Sequence, residues 1–209
     1  SSTLFLSSCA ERASADISPC GQYRWWLRRT LPTGDGQVIC FLMLNPSTAD
    51  DTTDDPTIRR CLGFVRTWDA STLSVRNLYP YRATHPRALA QATDPCGGTR
   101  GLTELLAGCT AHVTIAAWGA HPLAMHRAHE VLPLLRAHLG AKPLWCLGMT
   151  KHGAPRHPLY VRRSQILIPF YAASEVCGLP PTSRAGGSAL QGGEESHARY
   201  TFFDNWLCA

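Results

Sequence analysis

The chain contains no Cys-x-x-Cys pair: its nine cysteines stand singly at 9, 20, 40, 61, 96, 109, 146, 177 and 208. That spacing excludes a zinc knuckle or ribbon, and an odd, scattered set offers no disulfide framework. No stretch approaches the roughly 20 consecutive apolar residues that a membrane span needs, so no membrane role is expected. The opening Thr3-Leu4-Phe5-Leu6-Ser7-Ser8-Cys9 is too short for a secretory core and no basic residues precede it, so export is not expected. Charge is sparse as well, 17% of residues, and 20 Lys and Arg against 15 Asp and Glu leave a net +5. Such an excess permits an anionic partner and equally fits an ordinary basic surface, so the placement of the charges has to decide.

What is present fits one globular unit. A chain of 209 residues, 44% of them hydrophobic, can bury one sizeable core with appendages. Cysteines inside apolar runs, Ile39-Cys40-Phe41 and Trp145-Cys146-Leu147, read as small buried hydrophobes, and a reducing cytoplasm is the expected compartment.

The alternating aromatic and basic run within residues 15–29, which follows a Ser-Pro-Cys-Gly turn, predicts a hairpin. Val38 to Leu44 is a continuous apolar strand of the kind buried on both faces. Pro56 to Trp68 carries Ile58, Leu62 and Val65 at helical spacing behind a first-turn proline. Thr72 to Leu78, Val113 to Trp118 and Leu144 to Leu147 read as further strands. Arg87 to Ala92, Leu102 to Leu106 and Leu123 to Leu139 read as helices. The alternation predicts an α/β fold over residues 1–170: a central, mostly parallel four-stranded sheet flanked by helices in three layers, with an N-terminal hairpin. Residues 171–209 are expected to be a Gly/Ser-rich linker followed by an apolar end that docks on the core.

Open α/β sheets bind ligands outside the carboxyl ends of their strands. There the chain places polar residues: Asn45-Pro46-Ser47 after the first strand, Asn77 after the second, Trp118-Gly119 after the third and His157 beyond the fourth. Each has a plain structural reading beside the functional one. Asn45 before a proline suits a turn, Asn77 suits a strand cap, and Asp50, Asp51, Asp54 and Asp55 suit a helix start. His121, His126 and His129 on or beside the long helix suit a surface face better than a metal site.

Taken in order, Leu44-Asn45-Pro46-Ser47, Val75-Arg76-Asn77-Leu78-Tyr79-Pro80-Tyr81-Arg82, Ala117-Trp118-Gly119-Ala120-His121 and Arg156-His157-Pro158-Leu159-Tyr160 resemble the four strand-end motifs of the uracil-DNA glycosylase superfamily. Residues 15–170 also resemble a bacterial domain family of uncharacterised function. Two departures stand out: Asn45 replaces the acidic residue of many members, and His-Pro-Leu-Tyr replaces His-Pro-Ser-Pro. Both point away from plain uracil.

The resemblance implies a monofunctional DNA glycosylase acting on an unusual or modified base, in repair or in defence against phage with modified genomes. Asn45 would hold water, with Asp54 or Asp55 as base, and His157 would stabilise the leaving base. Pro46, Ser47, Phe64, Asn77, Trp118 and Gly119 would surround the base. Leu159 and Tyr160 would wedge the duplex, while Arg76, Arg82, Lys151, Arg156, Arg162 and Arg163 contact DNA. No metal or cofactor is implied, since the four cysteines of the iron–sulfur branches have no counterpart in spacing. DNA is the expected partner and a monomer the expected state. The rival readings are a non-catalytic binder of modified DNA and a hydrolase or transferase of free nucleotides.

Overall fold

The structure, a computed structural model, describes residues 12–170. The linker and apolar end expected over 171–209 lie outside the described residues. Seven strands form one mixed sheet: β1 Arg12–Ile17, β2 Arg24–Thr30, β3 Val38–Met43, β4 Thr72–Asn77, β5 Val113–Ala116, β6 Leu144–Cys146 and β7 Ile168–Pro169, in the order β1-β2-β4-β3-β5-β6-β7. The four expected strands are there, parallel to one another, as β4-β3-β5-β6. The sheet is larger than the expected four because the N-terminal hairpin joins it antiparallel along β4, and β7 pairs antiparallel with β6. At two residues, β7 is too short to show any alternation in sequence.

Four helices flank the sheet: α1 Pro56–Thr67, α2 Pro86–Gln91, α3 Gly98–Ala107 and α4 Pro122–Leu139. The strand β3 is apolar throughout because both its faces are covered. Ile39, Phe41 and Met43 pack with Ile58, Leu62 and Val65 of α1, whereas Cys40 and Leu42 pack with Leu105 of α3 and Leu135 of α4. Asp55 starts α1, its Oδ1 accepting the Ile58 N–H at 2.9 Å, with Pro56 in the first turn. Gly108 allows the 3₁₀ turn Gly108–Thr110 to press on the sheet: a Cβ there would lie 2.9 Å from Cys40 Sγ and 3.1 Å from Leu42 Cδ2.

Cys40, Cys61, Cys109 and Cys146 are buried free thiols, as their apolar settings suggest. Burial pushes the Cys40 thiol up to about 12 and Cys109 to about 11, so both are inert at neutral pH. No helix among the described residues is long and apolar enough to cross a membrane.

Candidate functional site

The carboxyl ends of β3, β4 and β5 meet at a cavity of about 180 Å³ lined by Asn45 and Ser47, Asn77, Trp118, Asp55, His157 and Arg24, with Met43, Ile58 and Val75 as apolar floor. Strands β4 and β5 flank β3 on opposite sides, so the cavity opens where the strand order changes direction, the usual ligand position in such sheets. Its volume falls below the roughly 300–1,000 Å³ of sites for drug-sized ligands, and so suits a single ring system.

His157 caps the short turn Pro158–Tyr160, its Nδ1 accepting the Leu159 N–H at 3.3 Å. The neutral ring therefore carries its proton on Nε2 as a donor. Burial pushes the His157 pKa down, against the opposing charge of Asp55, so the ring is neutral at neutral pH. Gly119, at φ 77, lets the chain turn off β5 beside it, and a Cβ there would sit 3.5 Å from His157 Cβ. The loop bearing His157 is tied to α1 by Arg60, which donates to the carbonyls of Pro158, at 3.3 Å, and Val161.

A depressed histidine pKa has a sign. Between the folded pKa and the ordinary 6.5 the unfolded chain binds the extra proton, so stability falls as pH drops through that window and is flat above it. His157→Asn can still cap the turn but does not titrate. Denaturant midpoints measured near pH 7.5 and near pH 5.5 should therefore separate less in His157→Asn than in the wild type. An equal separation would mean that His157 does not change its charge environment on folding.

The two adjacent carboxylates part company. Asp55 is half-buried, spends Oδ1 on the helix cap and lines the cavity. Asp54 faces away into an ion pair with buried Arg29, 2.8 Å apart. Asn45 also has structural duty: its Nδ2 donates to the carbonyls of Pro46 at 2.9 Å and Ala83 at 2.7 Å, which leaves Oδ1 as its free function. Pro46 is buried behind it and accepts the Ala83 N–H at 3.0 Å.

Two expected contacts need correcting. Phe64 is fully buried in the core under α1, stacked on Trp68 at 5.4 Å, and does not reach the cavity. It shares the helix face of Cys61 and Val65, and that face packs on the sheet. Arg76 stands between Val75 and Asn77, which both line the cavity, so strand alternation turns it to the opposite face. There it pairs with Glu104, lies over the Trp26 ring at 5.9 Å and lines a separate cavity of about 480 Å³ with Arg28 and His112. That larger cavity holds no carboxylate and none of the strand-end residues.

Lys151, Arg156, Arg162 and Arg163 are exposed, as are Leu159 (44%), Tyr160 (78%) and Ile166 (66%), and none of the seven lines the cavity itself. Arg82 is half-buried and donates to the Gly21 carbonyl at 3.3 Å. Among the described residues no cluster of three or more His, Cys, Asp or Glu could hold a metal. His121 caps α4 through Nδ1, and His126 pairs with Glu130 at 3.6 Å.

Sequence reading missed Arg24, which is 2% exposed. Plain alternation along β2 puts it on the face of Trp26 and Arg28. The pairing shifts between Asp16, opposite Trp26, and Ile17, opposite Arg24, leaving Trp25 as an extra residue. Such a bulge re-aims the side chains beyond it. Trp25 accordingly packs on α3, with Arg100 over its ring at 4.5 Å. Arg24 turns into the cavity, where NH1 donates to the Ala49 carbonyl at 2.9 Å and NH2 to Asn77 Oδ1 at 3.3 Å. Burial lowers its pKa to about 10, with Asp55 opposing, so it stays charged.

A family model described as a protein of unknown function, DUF1643, matches residues 24–159, more than half of the chain. No curated protein and no solved structure matches it.

Proposed function

We propose, from the premise that the chain belongs to the DUF1643 family of proteins of unknown function, that this member hydrolyses the N-glycosidic bond of an unusual or modified base in DNA. The observation that carries the reading is the meeting of Asp55, Asn77, His157 and Asn45, distant in sequence, around one ring-sized cavity. A base held there would lie beyond the reach of a duplex, so it must be extruded, at a cost of a few kcal/mol of unstacking. Leu159 and Tyr160, exposed in the turn that His157 caps, supply apolar surface that offsets this cost.

The chemistry follows from the groups. As the bond from the sugar to the base nitrogen breaks, its electron pair goes to the base and positive character grows on the sugar. The Nε2–H of neutral His157 donates to the base as its charge develops. Asp55 takes the proton from a water that adds to the sugar carbon, and Asn45 Oδ1 orients that water. The products are an abasic sugar and the free base.

Lys151, Arg156, Arg162 and Arg163, exposed and flanking His157 in sequence, suit a phosphate track. Salt should weaken DNA binding, and Arg162→Gln with Arg163→Gln should flatten the slope of log affinity against log salt by roughly 2 for a double-stranded probe. An unchanged slope would place DNA elsewhere on the surface.

The test is incubation with DNAs carrying uracil, mismatches, common lesions and phage-type modified pyrimidines, followed by alkali and mass spectrometry of released bases. A free base released by the wild type and slowed about 10²-fold in His157→Ala supports the reading. Tight, salt-sensitive binding with no released base would make the protein a reader of modified DNA. No binding and no release would end the DNA reading altogether. Repair and phage defence differ in the substrate found: a common lesion for the first, a hypermodified phage base for the second.

A further inference from the structure

The lining of the cavity is polarised in a way the motifs do not explain. Its carboxylate, Asp55, and the free Asn45 Oδ1 belong to the loop after β3, and the hydroxyls of Ser47, Thr57 and Thr84, which donate or accept, also line it. Arg24, Asn77 and Trp118, from β2, β4 and the segment after β5, line it as well and bring donors. Arg24 Nε, Asn77 Nδ2 and Trp118 Nε1 are all buried without a hydrogen-bond partner. Three orphan donors on residues of one small cavity call for a reason, because each costs free energy while unpaired.

Arg24 supplies the reason for the orientation of Asn77. Guanidinium has only donors, so a carboxamide beside it must present its oxygen. Asn77 does so, with Oδ1 3.3 Å from Arg24 NH2, and its Nδ2 is left as the group without a partner. Asn77 is itself 3% exposed, with little room to turn. A free asparagine reads donor and acceptor edges alike; one held by an arginine favours acceptors.

We infer that Arg24, carried into the cavity by the bulge in β2, is a specificity-determining residue that holds Asn77 with its Oδ1 engaged and its Nδ2 unpaired, so that the cavity selects heterocycles whose recognised edge carries a carbonyl oxygen over those carrying an amino group. The inference rests on the glycosylase reading only in taking the ligand to be a nucleobase. In that reaction the same arrangement has a second effect. Charge arriving on the departing base gathers on its carbonyl oxygens, and the fixed positive charge of Arg24 polarises the amide that receives them. Arg24 acts through Asn77 and is a positioning residue.

The test uses free bases and the full chain, so it needs no turnover. Uracil against cytosine and hypoxanthine against adenine differ chiefly in an oxo or amino group at one edge. Saturation-transfer NMR titrations of the wild type should show the oxo member of each pair binding at least about tenfold tighter, the scale of one hydrogen bond to a charge-assisted donor. In Arg24→Met, which keeps the apolar stem, the preference should fall to within about twofold. Asn77→Leu, should Arg24→Met fail to fold, is expected to abolish the preference too.

Equal or tighter binding of the amino member, binding of none of the four, or an undiminished preference in a folded Arg24→Met would overturn the inference. The two proposals fail separately. An oxo preference among free bases with no base released from any DNA sinks the glycosylase and leaves the role of Arg24 standing. Base release without an oxo preference does the reverse.

Discussion

Asp55→Asn is expected to slow base release by about 10³-fold, the range found when a general base is lost, with little change in stability. The substitution is clean because the helix cap uses Oδ1 and leaves the other oxygen for the proposed proton transfer. Oδ1 caps α1 by accepting the Ile58 N–H, and asparagine caps nearly as well as aspartate. The duty proposed for the other oxygen, taking a proton from water in the cavity, is one a carboxamide cannot perform. Asp54→Asn is the control. Its side chain faces Arg29 rather than the cavity, so the rate should stay within about threefold while stability drops by about 1 kcal/mol. Single-turnover rates on whichever DNA the wild type cleaves decide the matter: a larger loss in Asp54→Asn than in Asp55→Asn would reverse the two assignments.

Arg29→Ala is expected to cost about 3 kcal/mol of stability and, for a domain of this size, about 10 °C in melting temperature. Arg29 is 2% exposed and binds the loop before α1 at several points. Its Nε donates to Asp54 Oδ1 at 2.9 Å, and its NH2 donates to the carbonyls of Asp50 and Thr53. Alanine leaves those carbonyls and the Asp54 carboxylate without their donor, which is the costly half of breaking a buried pair. Since the same loop delivers Asp55 to the cavity, activity should fall with stability. Arg29→Lys keeps the charge but cannot span the three acceptors, so it should recover only part of the loss. Urea unfolding of the three proteins checks this; an Arg29→Ala midpoint equal to the wild type would show that the loop is held by other contacts.

The strand ends were readable for a physical reason. Strand β3 is covered on both faces, so it appears as an unbroken apolar run, and β5 departs from that only at Thr114; the polar or turn residues that follow each mark the edge of the core. Asn45, Asn77, Trp118 and His157 all line the cavity. The helical spacing of Ile58, Leu62 and Val65 likewise located α1 to within a residue. Phe64 shows the limit of that reading. The start of its helix, at Thr57 and Ile58, lines the cavity, but Phe64 lies further along on the face that packs into the core. Asp54 and Asp55 show another: nothing in two adjacent aspartates says which will cap a helix and which will meet Arg29 across 25 residues of chain.

The sequence by itself determined the parallel four-stranded centre, the hairpin, the helices between the strands and the polar residues that end them. These follow from local periodicity and burial, which each short segment carries alone. Only the tertiary structure decided which of those polar residues share a cavity, that Arg60 ties the His157 loop to α1, and that Arg24 belongs to the site. The last depends on one extra residue in β2 opposite β1. Register between strands is a property of the pair, and a shift of one residue reverses the faces beyond it, so no reading of β2 alone could have turned Arg24 inward.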